Sequence, residues 1–220
     1  MSGGKLDLQR IRRAIRVSGN ETIFFLLDDA ISLLPPAKLR QLLTQYMKPE
    51  QFVSDVAGKR DLLAEVQAFQ KACLAREYYE AFDVNSKNCT QSSLRTLAWI
   101  ADFRRLLFRC VEESKKRNVA NVRRAFDILF DLLDRFDDAD DRMVFFADEG
   151  GSWMVGIDWK RVLPAWFRVL SDTADPADPA EYVQRFEAFV GRYCNYQRAE
   201  LLGEALQVAT PSQRKELAEL

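Results

Sequence analysis

The chain has 220 residues, 48% hydrophobic and 30% charged, with a formal net charge of −1. A chain of this length buries roughly 70% of its extended surface on folding, which supports a core without metals or disulfides and excludes a disordered chain. Thirty-two Lys and Arg stand against 33 Asp and Glu with no histidine, so Ser-His-Asp triads, Cys-His pairs, imidazole bases and histidine-ligated metals are excluded.

The opening segment, MSGGKLDLQRIRRAIRV, is basic but lacks the apolar run of roughly 7–15 residues that a signal peptide requires. Its first helix carries Leu8, Ile11 and Ile15 on one face, opposite Arg10, Arg12, Arg13 and Arg16. The pattern matches a membrane-surface helix without the usual Trp or Phe, and reads better as a helix laid on the core. Ile23, Leu27, Ala30 and Leu34 mark a second helix, which Pro35 and Pro36 end while opening a third through Leu39, Leu42, Leu43 and Tyr46. After Pro49 and Gly58 comes a long helix with Leu62, Leu63, Val66, Phe69, Cys73 and Leu74. Residues 83–89 form the clearest polar loop and a candidate sub-boundary within a single domain spanning 1–220.

Thr90 is the predicted N-cap of the next helix, with Leu94, Leu97, Ile100, Leu107 and Val111 spaced for burial. Val122, Phe126, Leu129, Leu133 and Phe136 then form a helical seam. One segment departs from the pattern. Two short β-favouring runs, Met143–Ala147 and Trp153–Ile157, flank Asp148-Glu149-Gly150-Gly151-Ser152, which predicts a β-hairpin over 143–157. Asp158 caps a helix bearing Val162, Trp166, Phe167 and Leu170, where Pro164 implies a kink or a later start. Asp178-Pro179-Ala180-Glu181 and Thr210-Pro211-Ser212-Gln213 are two further helix starts. The predicted fold is mainly all-α: antiparallel helix pairs forming a bundle or a short α-solenoid, with one small hairpin.

Cys73, Cys89, Cys110 and Cys194 contain no C-x-x-C pair, which excludes a zinc ribbon or thioredoxin-type redox site. Three of them read as buried apolar residues in a reducing, cytoplasmic setting, while Cys89 lies at a loop–helix junction and is the one candidate reactive thiol. No cofactor or metal site is implied.

Charge is divided along the chain, with 20 basic and 14 acidic residues in 1–120 against 12 and 19 in 121–220. Arg104, Arg105, Arg109, Lys115, Lys116, Arg117, Arg123 and Arg124 form a basic cluster suited either to a solvated helix face or to nucleic acid and other polyanions. A pI near 5.7 and core-spaced aromatics favour the former. Asp127, Asp131, Asp134 and Asp138 form an acidic stripe, extended by Asp137, Asp140 and Asp141. An EF-hand register from Asp137 fails at Ala139 and Arg142.

Asp148, Glu149, Ser152, Trp153, Asp158 and Trp159 are the candidate protein-binding group, because large aromatics beside a charged turn have the composition of interface hot spots. The alternative is that both tryptophans are core and the acids only solubilise the turn. A carboxylate-based hydrolase remains a distant third reading, since no second carboxylate stands out. The sequence thus points to a non-enzymatic protein-interaction scaffold or adaptor, with polyanion binding through 104–124 as the alternative. Partner identity and oligomeric state are not encoded in any motif.

Overall fold

In a computed structural model, the described residues are 7–43, 45–46, 61–116, 119–137, 143–147 and 151–219. They form ten α-helices, and the chain divides into two compact units, Met1–Lys59 and Arg60–Leu220. The 83–89 loop lies inside the second unit.

The first unit holds α1 (Leu8–Val17), α2 (Asn20–Leu33) and α3 (Pro36–Leu43). Asp7 caps α1 by accepting from the backbone N–H groups of Gln9 and Arg10 at 2.9 and 3.1 Å. Leu8 and Ile11 of α1 are 61% and 38% exposed, and no residue of the helix is fully buried.

The second unit holds α4 (Leu62–Leu74), α5 (Leu94–Glu113), α6 (Ala120–Asp137), α7 (Trp159–Thr173), α8 (Pro179–Tyr193), α9 (Arg198–Val208) and α10 (Pro211–Leu217). Each helix packs mainly against those one or two places along the chain: α4 on α5 and α6, α5 on α6 and α7, α7 on α8 and α9, α8 on α9 and α10. Val122, Phe126, Leu129 and Leu133 are buried as their spacing requires. Trp99 anchors one end of the core, stacked on Phe103 and Phe136 at 5.0 and 4.8 Å, with its indole N–H donated to the Cys73 sulfur at 3.1 Å. Trp166 anchors the other end, 5.3 Å from Phe130 and 5.2 Å from Phe189.

One helix start differs from expectation. α5 is capped by Ser93, whose hydroxyl accepts from Thr96 N–H at 3.1 Å, rather than by Thr90. The chain reaches Ser93 still extended, because Ser92 forms a backbone bridge with Phe146. α7 begins at Trp159 and runs through Pro164, so it does not start at the proline. Both C-terminal starts match their sequences: Asp178 accepts from Glu181 N–H, and Thr210 and Gln213 form a reciprocal capping box.

The hairpin predicted over 143–157 is not formed, and the described residues contain no strand. Residues Ser152–Val155 instead make a 3-10 turn closed by Gly156 in the left-handed region at φ 62°. Aromatic capture overrides the local β-propensity. Phe145 packs edge-on against Phe82 at 5.0 Å and Phe146 against Phe136 at 4.3 Å. Thr96 donates its hydroxyl to the Phe145 carbonyl at 2.7 Å. The 143–147 run is therefore bound to α5, α6 and the 79–82 segment, leaving residues 153–157 without a strand partner among the described residues.

Beyond α4, Arg76 sits at φ 62° while the N–H groups of Arg76 and Glu77 return to the carbonyls of Cys73 and Ala72. Only glycine takes this left-handed stop without steric cost. Arg76→Gly should therefore raise stability by about 0.5–1 kcal/mol, whereas Thr210→Ala should lower it by about 1 kcal/mol. Urea unfolding midpoints moving the same way for both variants would refute this account of the two helix ends.

Candidate binding groove

The 3-10 turn Ser152–Val155 places Val155 in the core and turns Trp153 outward, 72% exposed. Three residues on from Gly156, Trp159 opens α7 and is half-buried, its ring 5.2 Å from Phe189 and 5.7 Å from Tyr193. The two tryptophans, adjacent in the candidate group, thus have different roles: one is a rim and the other a wall. Asp158 occupies the N-cap position of α7, but its side chain makes no capping bond and it stays exposed. Asp148 and Glu149 lie outside the described residues.

Opposite the turn, the end of α8 supplies Arg192 and Tyr193, and the short 3-10 segment before α9 supplies Tyr196, 80% exposed. These residues enclose a groove of about 330 Å³ with Ser152, Trp153, Ile157 and Trp159. Sequence reasoning missed its second wall. The signal present was Tyr193-Cys194-Asn195-Tyr196, two aromatics at a helix junction, but nothing in the spacing links that junction to residues 152–159.

At Arg192 and Tyr193 the groove adjoins a second cleft of about 320 Å³ between α6 and α8. Its floor is Phe130, Trp166 and Phe189, and the acidic stripe forms one side. The stripe is paired across the cleft. Asp127 binds Arg185 at 3.1 Å, and Asp134 binds Arg192 at 3.2 Å while accepting from the Tyr193 hydroxyl at 2.6 Å. Asp131 pairs with Arg135 on its own helix at 3.1 Å. Asp138, Asp140 and Asp141 lie outside the described residues, among which no group of three or more His, Cys, Asp or Glu side chains is placed to hold a metal ion. No described helix is long and apolar enough to cross a membrane.

The basic cluster is dispersed into local pairs. Arg105 and Arg109 both bind Glu65, at 3.1 and 2.6 Å. Burial opposes charge on Glu65, but the two guanidiniums hold its carboxyl below the usual carboxylate range. Lys115 pairs with Glu112 at 2.9 Å, Lys116 with Glu113, and Arg123 with Glu181. Arg104 is partly buried, Arg124 is exposed, and Arg117 lies outside the described residues.

No family model, curated protein or solved structure matches the chain. The functional reading therefore stands on the groove itself.

All four cysteines are free; Cys73, Cys110 and Cys194 are buried and Cys89 is partly exposed. Burial pushes the thiols of Cys73 and Cys194 up to about 12, and that of Cys110 up as well. In an unfolded chain these thiols ionise near 9, so unfolding above that pH releases protons. The stability they contribute is complete below about pH 9 and is lost as the pH rises toward 12. The urea midpoint should accordingly fall between pH 8.5 and 10.5. At pH 8 a disulfide reagent should modify one thiol rapidly in the native chain and all four in denaturant. Rapid modification of two or more in the native chain would contradict this burial pattern.

Proposed function

We propose that the chain is a helical interaction scaffold whose groove between residues 152–159 and 192–196 grips a segment of a partner protein. The observation that carries this reading is the exposure of Trp153 and Tyr196, 72% and 80%, on the rim of a groove whose walls include Trp159, Tyr193 and Arg192. Single exposed apolar side chains are ordinary on protein surfaces, but Trp, Tyr and Arg gathered round one concavity have the composition of an interface hot spot. The neighbour-to-neighbour packing of α4–α10 supports a short α-solenoid, an architecture that commonly offers concave surfaces to partners. Four free cysteines support a reducing compartment such as the cytoplasm.

The polyanion reading loses support because Arg105, Arg109, Lys115, Lys116 and Arg123 already sit in ion pairs. Phosphate contacts on that face would have to compete with these carboxylates.

Truncating a hot-spot aromatic costs roughly 2 kcal/mol or more, about thirtyfold in affinity. A Trp153→Ala/Tyr196→Ala chain should therefore lose a stoichiometric partner that the wild type captures from lysate. Leu94→Ala, which removes an 80% exposed side chain elsewhere, should keep it. Retention of every captured protein by a double variant with native circular dichroism would reject the groove as the contact surface.

A further inference from the structure

We infer that the groove takes a proline-rich segment in the polyproline II conformation, an inference that rests on reading the groove as a protein-binding surface. Its side chains provide ring faces and hydrogen-bond donors, and their acceptors are limited to the hydroxyls of Ser152, Tyr193 and Tyr196. The ring faces come from Trp153, Trp159 and the two tyrosines. The indole N–H groups of Trp153 and Trp159 donate only, as does the Arg192 guanidinium, and no carboxylate or amide side chain is among the described residues lining the groove. Neither indole N–H has an acceptor among the described residues. The hydroxyl of Tyr193 is engaged with Asp134, which also balances the charge of Arg192. The lining is thus near neutral, aromatic and rich in donors.

Each class of occupant makes a different demand on such a lining. A sugar presents many hydroxyl donors, and the described lining meets them with hydroxyl oxygens alone, without a carboxylate or amide. A quaternary ammonium is drawn to ring faces but offers no acceptor to the indole N–H groups. An α-helical segment has spent its backbone carbonyls internally. A prolyl segment has carbonyl acceptors and no N–H, flat rings to lay on aromatic faces, and a conformation already extended before binding. It therefore matches the groove on hydrogen bonding and shape together, and loses little conformational freedom in docking.

The four tryptophans supply the test. Their indole N–H signals in a ¹⁵N-labelled full-length chain can be followed during titration with decaproline, with a Gly-Ser decapeptide as control. Trp153 and Trp159 signals should move. Trp99, bonded to the Cys73 sulfur, and Trp166, fully buried, should not. Decaproline should bind at least about tenfold more tightly than the control. Trp153→Phe keeps a ring face and removes the donor, so it should weaken binding roughly two- to tenfold, and Trp153→Ala should weaken it further.

Absence of movement at Trp153 and Trp159, or equal response to the Gly-Ser peptide, overturns the proline assignment. So does movement produced only by a trimethyl-lysine peptide or by cellohexaose. If decaproline fails while Trp153→Ala/Tyr196→Ala still loses its captured protein, the interaction surface stands and only the occupant is wrong. If the double variant also keeps that protein, both readings fall.

Discussion

The contact between Phe130 on α6 and Phe189 on α8, with ring centroids 4.3 Å apart, is the one on which the groove depends. α6 and α8 meet chiefly through side chains, and this aromatic contact fixes the end of α8 where Arg192 and Tyr193 project. Trp159 also packs against Phe189, at 5.2 Å, so both walls of the groove rest on one ring. Aromatic pairs contribute about 0.5–1.5 kcal/mol beyond their buried area, whereas ion pairs as exposed as Asp127–Arg185 and Asp134–Arg192 contribute about 0–1 kcal/mol. The rings hold the two helices together and the charges orient their rims. Beneath them the Trp166 indole N–H is buried with no acceptor among the described residues. That costs about 1–3 kcal/mol, offset by its contacts with Phe130, Phe167 and Phe189.

Packing in the second unit runs between helices adjacent or next-but-one along the chain, most extensively α4 on α6 and α7 on α9. Loop closure adds little to the entropy each helix must lose, and assembly can spread from any pair already docked. Polar links between distant parts of the chain include Thr96 to Phe145, Arg123 to Glu181, and Ser171, whose hydroxyl lies 2.8 Å from the Gln213 side-chain oxygen.

The helices were legible because Gly and Pro are scarce and the apolar spacing is strict, as in Val122, Phe126, Leu129 and Leu133. The caps at Asp178 and Thr210 could be read residue by residue, since capping is a local bond within one turn. The failures have a shared cause. Met143–Ala147 and Trp153–Ile157 have strand-like composition, but their fates were decided by Phe82, Phe136 and Thr96, residues that sequence spacing does not connect to them. For the same reason half the groove was visible and half was not. Trp153 and Trp159 stand out beside a turn, while Tyr193 and Tyr196 become partners only once α8 lies across α6. Asp127, Asp131 and Asp134 do share one side of the cleft, yet the pairing of Asp127 and Asp134 with Arg185 and Arg192 is a tertiary fact. The basic cluster is likewise real as a run of sequence but divided among carboxylates in space.

The hydrogen bond from Trp99 to the Cys73 thiol has an optical consequence. A thiol in contact with an excited indole drains its fluorescence, and Trp99 is fully enclosed with its N–H on sulfur. The emission of the native protein should therefore be weighted toward the other tryptophans, with Trp153, the one most open to water, contributing the red-shifted component. The fold has darkened a chromophore of its core while leaving a bright one on the rim of the groove, so the protein's own light reports on the groove.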